Sequence, residues 1–293
     1  MAYLPDGDIY AGLAGIELGI DLVELGNGLA LRKTYAHLMA PFLMAFSPAQ
    51  RGKPHPAPWK AAHGGLGFDI TAELLIPKEC GVSIADRIGV ARTVIALMRI
   101  WTSPGITLPV ISNMSFSAAA QADDDQAHFV PLEIEPRCFP LECAPGLVFD
   151  SELLQWVKER WEVTIELQRN HAEFSLAFDT LDSGQFIRNP ALTLVSLWAA
   201  LEALFSPSTA ELRFRVTALI ASYLERPGDE RRKLHKELMC LYDERSKAAH
   251  GRPKENPERL LQTFELLRRV IVKILDENHV PTSEELDEYL FGM

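Results

Sequence analysis

The pattern of apolar and polar residues changes character about half-way along the 293-residue chain. In the first half, apolar alternation at residues 18–33 is broken by Gly26-Asn27-Gly28, which predicts two strands joined by a hairpin turn. Further patterns predict strands at about 68–76, 106–115 and 128–134, helices at 34–46 and 84–101, and a loop over the proline-bearing residues 47–67. The first half is therefore predicted to be α+β.

Four prolines between Pro131 and Gly146 interrupt this pattern, and proline removes a backbone donor and blocks helix formation. We place the domain boundary there, which gives an α+β domain at 1–145 and a helical bundle of four to five helices at 146–293. The predicted helices are a long first one with a stripe from Leu153 to Leu176, a buried one at 192–205, two at 213–224 and 229–250, and a fifth that Asn256 can cap.

Composition and charge narrow the class of protein. The chain is 47% apolar and 24% charged with a formal net charge of −11, which is typical of a globular protein and excludes global disorder. The first residues lack the basic and apolar regions of a signal peptide, and no continuous apolar run reaches the roughly 18 residues of a spanning helix. Four scattered cysteines fit reduced thiols. We expect a cytoplasmic protein that has no membrane association.

Several catalytic motifs are missing from the sequence. It contains no GxxxxGK[ST], no GxGxxG after a strand, no GxSxG and no HExxH. Cys138 and Cys143 would need two further ligands to hold a metal, and no His pair stands at a suitable spacing nearby. The sequence therefore predicts no cofactor and no metal site.

One pair of charged residues is set among apolar helix positions. Arg245 continues the series Leu234, Leu238 and Leu241 at intervals of three or four, so it should face the bundle. A buried guanidinium stays charged and needs a partner. Glu202 is the only charged side chain in the predicted buried helix. We therefore expect an ion pair between Glu202 and Arg245.

His250 follows Arg245 by five residues, about 140° further round an ideal helix. Gly251 is suited to end the helix as a left-handed cap, which would leave His250 at the C-terminus. The helix dipole there favours the protonated ring and Arg245 opposes it, so His250 could titrate near neutrality and serve as an acid or base. The alternatives are a histidine that only bonds the last carbonyls and an arginine that is only structural.

Two segments carry a resemblance to a known family. Arg-Ser-Lys-Ala-Ala-His-Gly at 245–251 resembles the Arg-x4-6-His motif of the HEPN superfamily. Leu-Trp-Ala-Ala-Leu-Glu-Ala-Leu-Phe at 197–205 and Leu241-Tyr242 resemble its Apea-like branch. The resemblance covers about 151–279 and implies that the helical domain is a HEPN-type bundle.

The resemblance implies a metal-independent endoribonuclease whose active site forms where two HEPN domains meet. Arg245 would bind the scissile phosphate, and His250 would activate the ribose 2′-hydroxyl or protonate the leaving group. Ser246 would orient the phosphate, and Glu202 and Lys247 would be supporting residues. Attack by the 2′-hydroxyl leaves a 2′,3′-cyclic phosphate.

Two functional hypotheses follow from the resemblance. The first is a homodimeric ribonuclease, among whose relatives are toxins and anti-phage effectors, with residues 1–145 as a sensing or partner-binding domain. The second is a non-catalytic HEPN module for dimerisation or for binding a nucleotide or RNA. A third hypothesis, an enzyme site in the first half, has no coherent set of residues.

The local charge bears on RNA as a partner. Residues 211–254 hold 11 basic and seven acidic side chains, a balance of +4 that leaves −15 for the rest of the chain. Lys247 belongs to this stretch. Such a stretch offers a basic edge for phosphate contacts, although it is also typical of a solvated helix face.

Overall fold

A computed structural model describes residues 4–40, 43–53, 55–61, 66–102, 104–123, 125–135, 148–205, 212–249 and 257–292. The chain forms two compact units. The first comprises Met1–Ile95, Gly105–Ile134 and Ala144–Gln155, and the second comprises Ala96–Pro104, Glu135–Cys143 and Trp156–Met293. Most of the predicted boundary at 131–146 lies outside the described residues.

The described strands all belong to the first unit. They are β1 (Ile9–Ala14), β2 (Glu17–Leu18), β3 (Leu22–Gly26), β4 (Leu29–Ala40), β5 (Leu43–Ala45), β6 (Trp59–Ala61), β7 (Leu66–Ile76), β8 (Thr107–Ser112), β9 (Phe129–Pro131) and β10 (Val148–Phe149). Six of them form an antiparallel sheet in the order β3-β4-β7-β1-β8-β9. Strands β5 and β6 form a separate antiparallel ribbon, and β10 pairs with β2 in parallel.

The described helices are mostly in the second unit. They are α1 (Ile84–Trp101), α2 (Phe116–Ala119), α3 (Ser151–Asn170), α4 (Ala172–Ser183), α5 (Pro190–Phe205), α6 (Leu212–Leu224), α7 (Asp229–Ala249), α8 (Pro257–Glu277) and α9 (Ser283–Phe291). Short 3-10 turns lie at Lys78–Cys80 and Gly184–Phe186. The chain therefore has an antiparallel sheet region followed by a mostly helical part, as the sequence predicts at this level.

Several local predictions for the first unit are confirmed. The hairpin turn lies between β3 and β4, with positive φ at Gly26, Asn27 and Gly28. The predicted strands at 68–76, 106–115 and 128–134 correspond to β7, β8 and β9, and the predicted helix at 84–101 corresponds to α1.

The predicted helix at 34–46 is wrong, because this segment forms the outer half of β4 and all of β5. On one face of β4, Ala36 and Leu38 pack against the core cluster that includes Phe116. On the other face, Tyr35 and Met39 are apolar but exposed. Apolar residues on both faces conceal the alternation by which a strand is recognised. The predicted loop at 47–67 is also partly wrong, since it contains β6.

The helical unit has more helices than the four to five predicted. The prediction of one long first helix is wrong, because α3 ends at Asn170 and His171 is extended (φ −130°, ψ 100°) before α4 begins. In α4 the buried face carries Phe174 and Phe178, while Leu176 is exposed. Helix α9, which begins with a capping box between Thr282 and Glu285, was not predicted. The described part of this unit has seven helices after α1 and α2.

Helix α5 is central to the helical unit, where it packs against α4, α7 and α8. Its buried residues include Leu197, Trp198, Leu201 and Phe205, in agreement with the prediction of a helix enclosed by others. The predicted end of α7 at His250–Gly251 and the predicted cap of α8 at Asn256 lie outside the described residues.

Candidate functional site

Two helices position the candidate site. In α7, Leu238 and Leu241 are buried, and Tyr242 and Arg245, further toward the C-terminus, contact α5. In α5, Glu202 follows the fully buried Leu201 and is itself mostly buried. The same helical spacing that buries the leucines therefore brings three polar side chains together between two packed helices.

Glu202 accepts hydrogen bonds from two residues of α7. The Tyr242 hydroxyl donates to Glu202 Oε1 at 2.9 Å. Arg245 Nη2 lies 3.1 Å from Oε1 and 3.2 Å from Oε2. The predicted Glu202–Arg245 pair is therefore confirmed, and the tyrosine hydroxyl stabilises the same carboxylate.

Aromatic rings form one side of this cluster. The Tyr242 ring meets the Trp198 ring edge-on, with centroids 5.0 Å apart and planes at 77°. The Arg245 guanidinium carbon lies 5.5 Å from the Tyr242 centroid, within the range of a cation–π contact. Trp198 Nε1 is buried and has no hydrogen bond among the described residues. The Tyr242 ring therefore lies between Trp198 and the Arg245 guanidinium, in contact with both.

The environment keeps Tyr242 protonated. Burial, the hydrogen bond to Glu202 and the Glu202 charge together raise the pKa of Tyr242 to about 12, and Arg245 opposes the shift. A phenol with this pKa is neutral at physiological pH. Tyr242 therefore acts as a hydrogen-bond donor in the cluster.

Arg245 has hydrogen-bonding capacity left over. Its Nε is buried and has no partner among the described residues, and its Nη1 makes no hydrogen bond there. The side chain is 24% exposed, so solvent reaches part of it. A guanidinium held on one edge by a carboxylate and open on another is suited to bind an oxyanion.

Several basic side chains of α6 and α7 are paired with carboxylates. Each of four basic side chains on α6 and α7 lies within 4 Å of a carboxylate: Arg213 with Asp243, Arg232 with Asp229, Lys233 with Glu230 and Lys247 with Glu244. In the described part of the chain, Arg226 and Lys236 have no ion-pair partner. All four carboxylates are among the seven acidic side chains of residues 211–254, so this pairing is already contained in the balance of +4.

The other predicted site residues are placed as follows. Ser246 is partly buried, and its hydroxyl has no hydrogen bond in the described residues. Lys247 is exposed and bonds to Glu244 at 2.7 Å. His250 lies outside the described residues, as do Cys138 and Cys143. Over the described ranges, no group of three or more His, Cys, Asp or Glu side chains is arranged to hold a metal.

Sequence reasoning missed the role of Tyr242. From the sequence, Tyr242 enters only as part of the family resemblance, whereas in the structure its hydroxyl donates to Glu202. The signal was its position three residues before Arg245, because residues at this spacing share a helix face and reach the same partner.

Comparisons with protein-family models, with curated proteins and with solved structures found no match to this chain. Among the described helices, none is both long and apolar enough to cross a membrane.

Proposed function

We propose that the helical unit is a HEPN-type endoribonuclease that cleaves RNA without a metal. The observation that supports the proposal is the state of Arg245. Glu202 and Tyr242 fix its position, while its Nη1 has no hydrogen bond among the described residues. An arginine held this way can bind a phosphate with no rearrangement of the helices.

The proposed chemistry is an in-line transesterification. Arg245 binds the scissile phosphate, and Ser246 orients it from the same helical turn. His250 accepts the proton of the 2′-hydroxyl, or protonates the 5′-oxygen as it leaves. The 2′-oxygen–phosphorus bond forms while the phosphorus–5′-oxygen bond breaks, so the products are a 2′,3′-cyclic phosphate and a free 5′-hydroxyl.

The proposed active unit is a homodimer. One Arg245 and one His250 provide a single acid–base group, whereas two copies related by a two-fold axis provide both an acid and a base. In this proposal residues 1–145 sense a signal or bind a regulatory partner, and the enzyme acts in the cytoplasm as a toxin or an anti-phage effector.

The ion pair itself favours a second candidate function, a non-catalytic HEPN module. Arg245 donates to Glu202 across two packed helices, and this contact stabilises the bundle whether or not a phosphate binds. Such a module would dimerise or bind a nucleotide or RNA without cleaving it.

His250→Ala distinguishes the two candidates. Purified native protein and the variant are incubated with total RNA in excess EDTA, and the products are separated on a gel. The exposed His279, which pairs with Glu285 at the start of α9, provides a matched control as His279→Ala. For a catalytic His250, we expect cleavage by the native protein and by His279→Ala, none by His250→Ala, and cyclic-phosphate ends on the products.

Other outcomes of these experiments would contradict the catalytic role of His250 or the dimer. An activity that EDTA removes, or that His250→Ala leaves intact, would show that the catalytic site is elsewhere. Loss of about 1 kcal/mol of stability in His250→Ala, with no cleavage by any form, would favour the non-catalytic module. A strict monomer in light scattering at micromolar concentration, with and without RNA, would contradict the dimer.

A further inference from the structure

Part of the first unit is a two-stranded ribbon. Strand β3 pairs with β4 only as far as Arg32, and β1 pairs with β7 only from Ile70 onward. Among the described residues, the pairing from His37 with Asp69 to Ala40 with Leu66 therefore has no flanking strand. Strands β5 and β6 form a second two-stranded segment in the same stretch of chain. We call residues 33–40, 43–53 and 55–61 the arm.

The arm exposes large apolar and aromatic side chains. Six of its large residues are each between 54% and 73% exposed: Tyr35, Met39, Leu43, Met44, Phe46 and Trp59. Eighteen large hydrophobic residues are exposed in the described chain as a whole, so a third of them fall within about a tenth of its length. This concentration exceeds the scattered exposure that is normal on protein surfaces.

The arm is also basic, in a chain that is strongly acidic. Residues 33–61 contain four Lys or Arg, two His and no Asp or Glu, so they carry +4 while the rest of the chain carries −15. Arg51, Lys53 and Lys60 have no ion-pair partner among the described residues, and Lys33 lies 3.6 Å from Asp21. Uncompensated positive charge in the same arm as exposed rings is complementary to a polyanion that also has flat apolar surfaces.

Hydrogen bonds hold two of these rings in position. Trp59 Nε1 donates to the His55 carbonyl at 3.0 Å, and His55 Nδ1 donates to the Ser47 carbonyl at 2.9 Å. The Tyr35 hydroxyl donates to Asp69 at 3.3 Å, and the same carboxylate binds His37 Nδ1 at 2.7 Å. The rings thus expose their faces with their polar atoms already occupied, which lowers the entropy lost when a base stacks on them.

From these observations we propose that the arm binds single-stranded RNA. Bases stack on Trp59, Tyr35 and Phe46, and phosphates bind Arg51, Lys53 and Lys60, because aromatic platforms beside unpaired cations are how proteins bind unpaired strands. A lipid surface fits less well. The loop between β5 and β6 forms the end of this ribbon and carries Arg51 and Lys53, so the ribbon has no apolar tip free of charge.

Fluorescence anisotropy tests this proposal on the full-length protein. The probe is a 20-nucleotide 2′-O-methyl oligouridine with a 5′ fluorescein. Since it lacks a free 2′-hydroxyl, it cannot be cleaved by the proposed reaction, and binding is measured independently of His250. We expect Trp59→Ala and Tyr35→Ala each to weaken binding about tenfold. Phe291→Ala, which removes an equally exposed ring from α9, should leave the affinity unchanged.

The salt dependence of RNA binding separates the contribution of charge from the contribution of stacking. Substitution of Arg51, Lys53 or Lys60 by Gln should lower the slope of log affinity against log salt by about 0.7 for each phosphate that the variant no longer binds. Circular dichroism confirms that each variant is folded. Binding that is unchanged in Trp59→Ala, or no binding of the native protein to the probe, would overturn the proposal. So would Trp59-dependent binding to phosphatidylserine vesicles in place of RNA.

Discussion

Two arginine–carboxylate pairs in the helical unit have similar parts and similar geometry but differ in their exposure to solvent. Arg99, near the end of α1, bonds through Nη1 to both oxygens of Asp182 in α4, at 2.9 and 3.0 Å, and lies 5.9 Å from the Phe186 ring. Arg245 bonds through Nη2 to both oxygens of Glu202 and lies 5.5 Å from the Tyr242 ring. The side chain of Arg99 is 4% exposed and that of Arg245 is 24% exposed.

This difference in exposure distinguishes the structural pair of Arg99 and Asp182 from the candidate site at Arg245. Arg99 is enclosed, and its charge is committed to the contact between two helices. Arg245 retains an open Nη1, and its carboxylate has a second donor in Tyr242, so Glu202 does not depend on Arg245 alone. A similar arginine, carboxylate and ring therefore enclose the arginine in one place and leave it partly exposed, with unused donors among the described residues, in the other.

The largest expected effect is on stability. Arg99→Met leaves Asp182 mostly buried, with no other side-chain hydrogen bond in the described residues, and should lower the free energy of unfolding by about 3–5 kcal/mol. Arg245→Met should cost about 1–3 kcal/mol, because Tyr242 still donates to Glu202. Tryptophan fluorescence in urea measures both, since Trp101, Trp156, Trp161 and Trp198 belong to the helical unit.

A double variant controls for the loss of packing. Arg99→Met with Asp182→Leu removes both charges and should recover most of the stability that Arg99→Met loses, because the stranded carboxylate is the main cost. Equal losses in Arg99→Met and Arg245→Met would remove the distinction between the two pairs.

The sequence predicts one pair and not the other. Arg245 and Glu202 are each the charged residue on an otherwise apolar helix face. The sequence therefore shows that each needs a partner, and each can be the partner of the other. Arg99 breaks an apolar run in α1 in the same way, but its partner Asp182 is an ordinary polar residue near the end of α4. Nothing in local spacing identifies Asp182, because the contact depends on how distant helices pack.

The errors in the predicted fold have a similar cause. The strand β4 has apolar residues on both faces because one face packs on the core and the other belongs to the exposed arm. The break between α3 and α4 falls at His171, where neither glycine nor proline marks it. In contrast, the Thr282–Glu285 capping box of α9 is a recognisable sequence signal that the apolar patterning did not use.

An intermediate effect is expected on the proposed cleavage. Lysine keeps the charge of Arg245 but loses the planar fork that binds Glu202 and a phosphate at once, so Arg245→Lys should lower the rate about a hundredfold. Arg99→Lys should leave the rate per folded molecule unchanged. A gel assay of initial rates, corrected for the folded fraction, compares them. Equal rates for Arg245→Lys and the native protein would show that Arg245 has only a structural role.

The smallest expected effect concerns Tyr242 and pH. Tyr242→Phe removes one hydrogen bond to Glu202 and should cost about 1 kcal/mol at neutral pH. The pKa of Tyr242 is about 12 in the folded protein against 10.0 for an ordinary tyrosine, so above pH 10 the unfolded chain loses this proton first. The stabilisation by Tyr242 is complete below pH 10 and is lost as the pH rises toward 12.

Urea unfolding across this pH interval should therefore show a shallower decline in the free energy of unfolding for Tyr242→Phe than for the native protein. If Tyr242→Phe declines as steeply as the native protein, the hydroxyl does not contribute to this cluster in the way that separates Arg245 from Arg99.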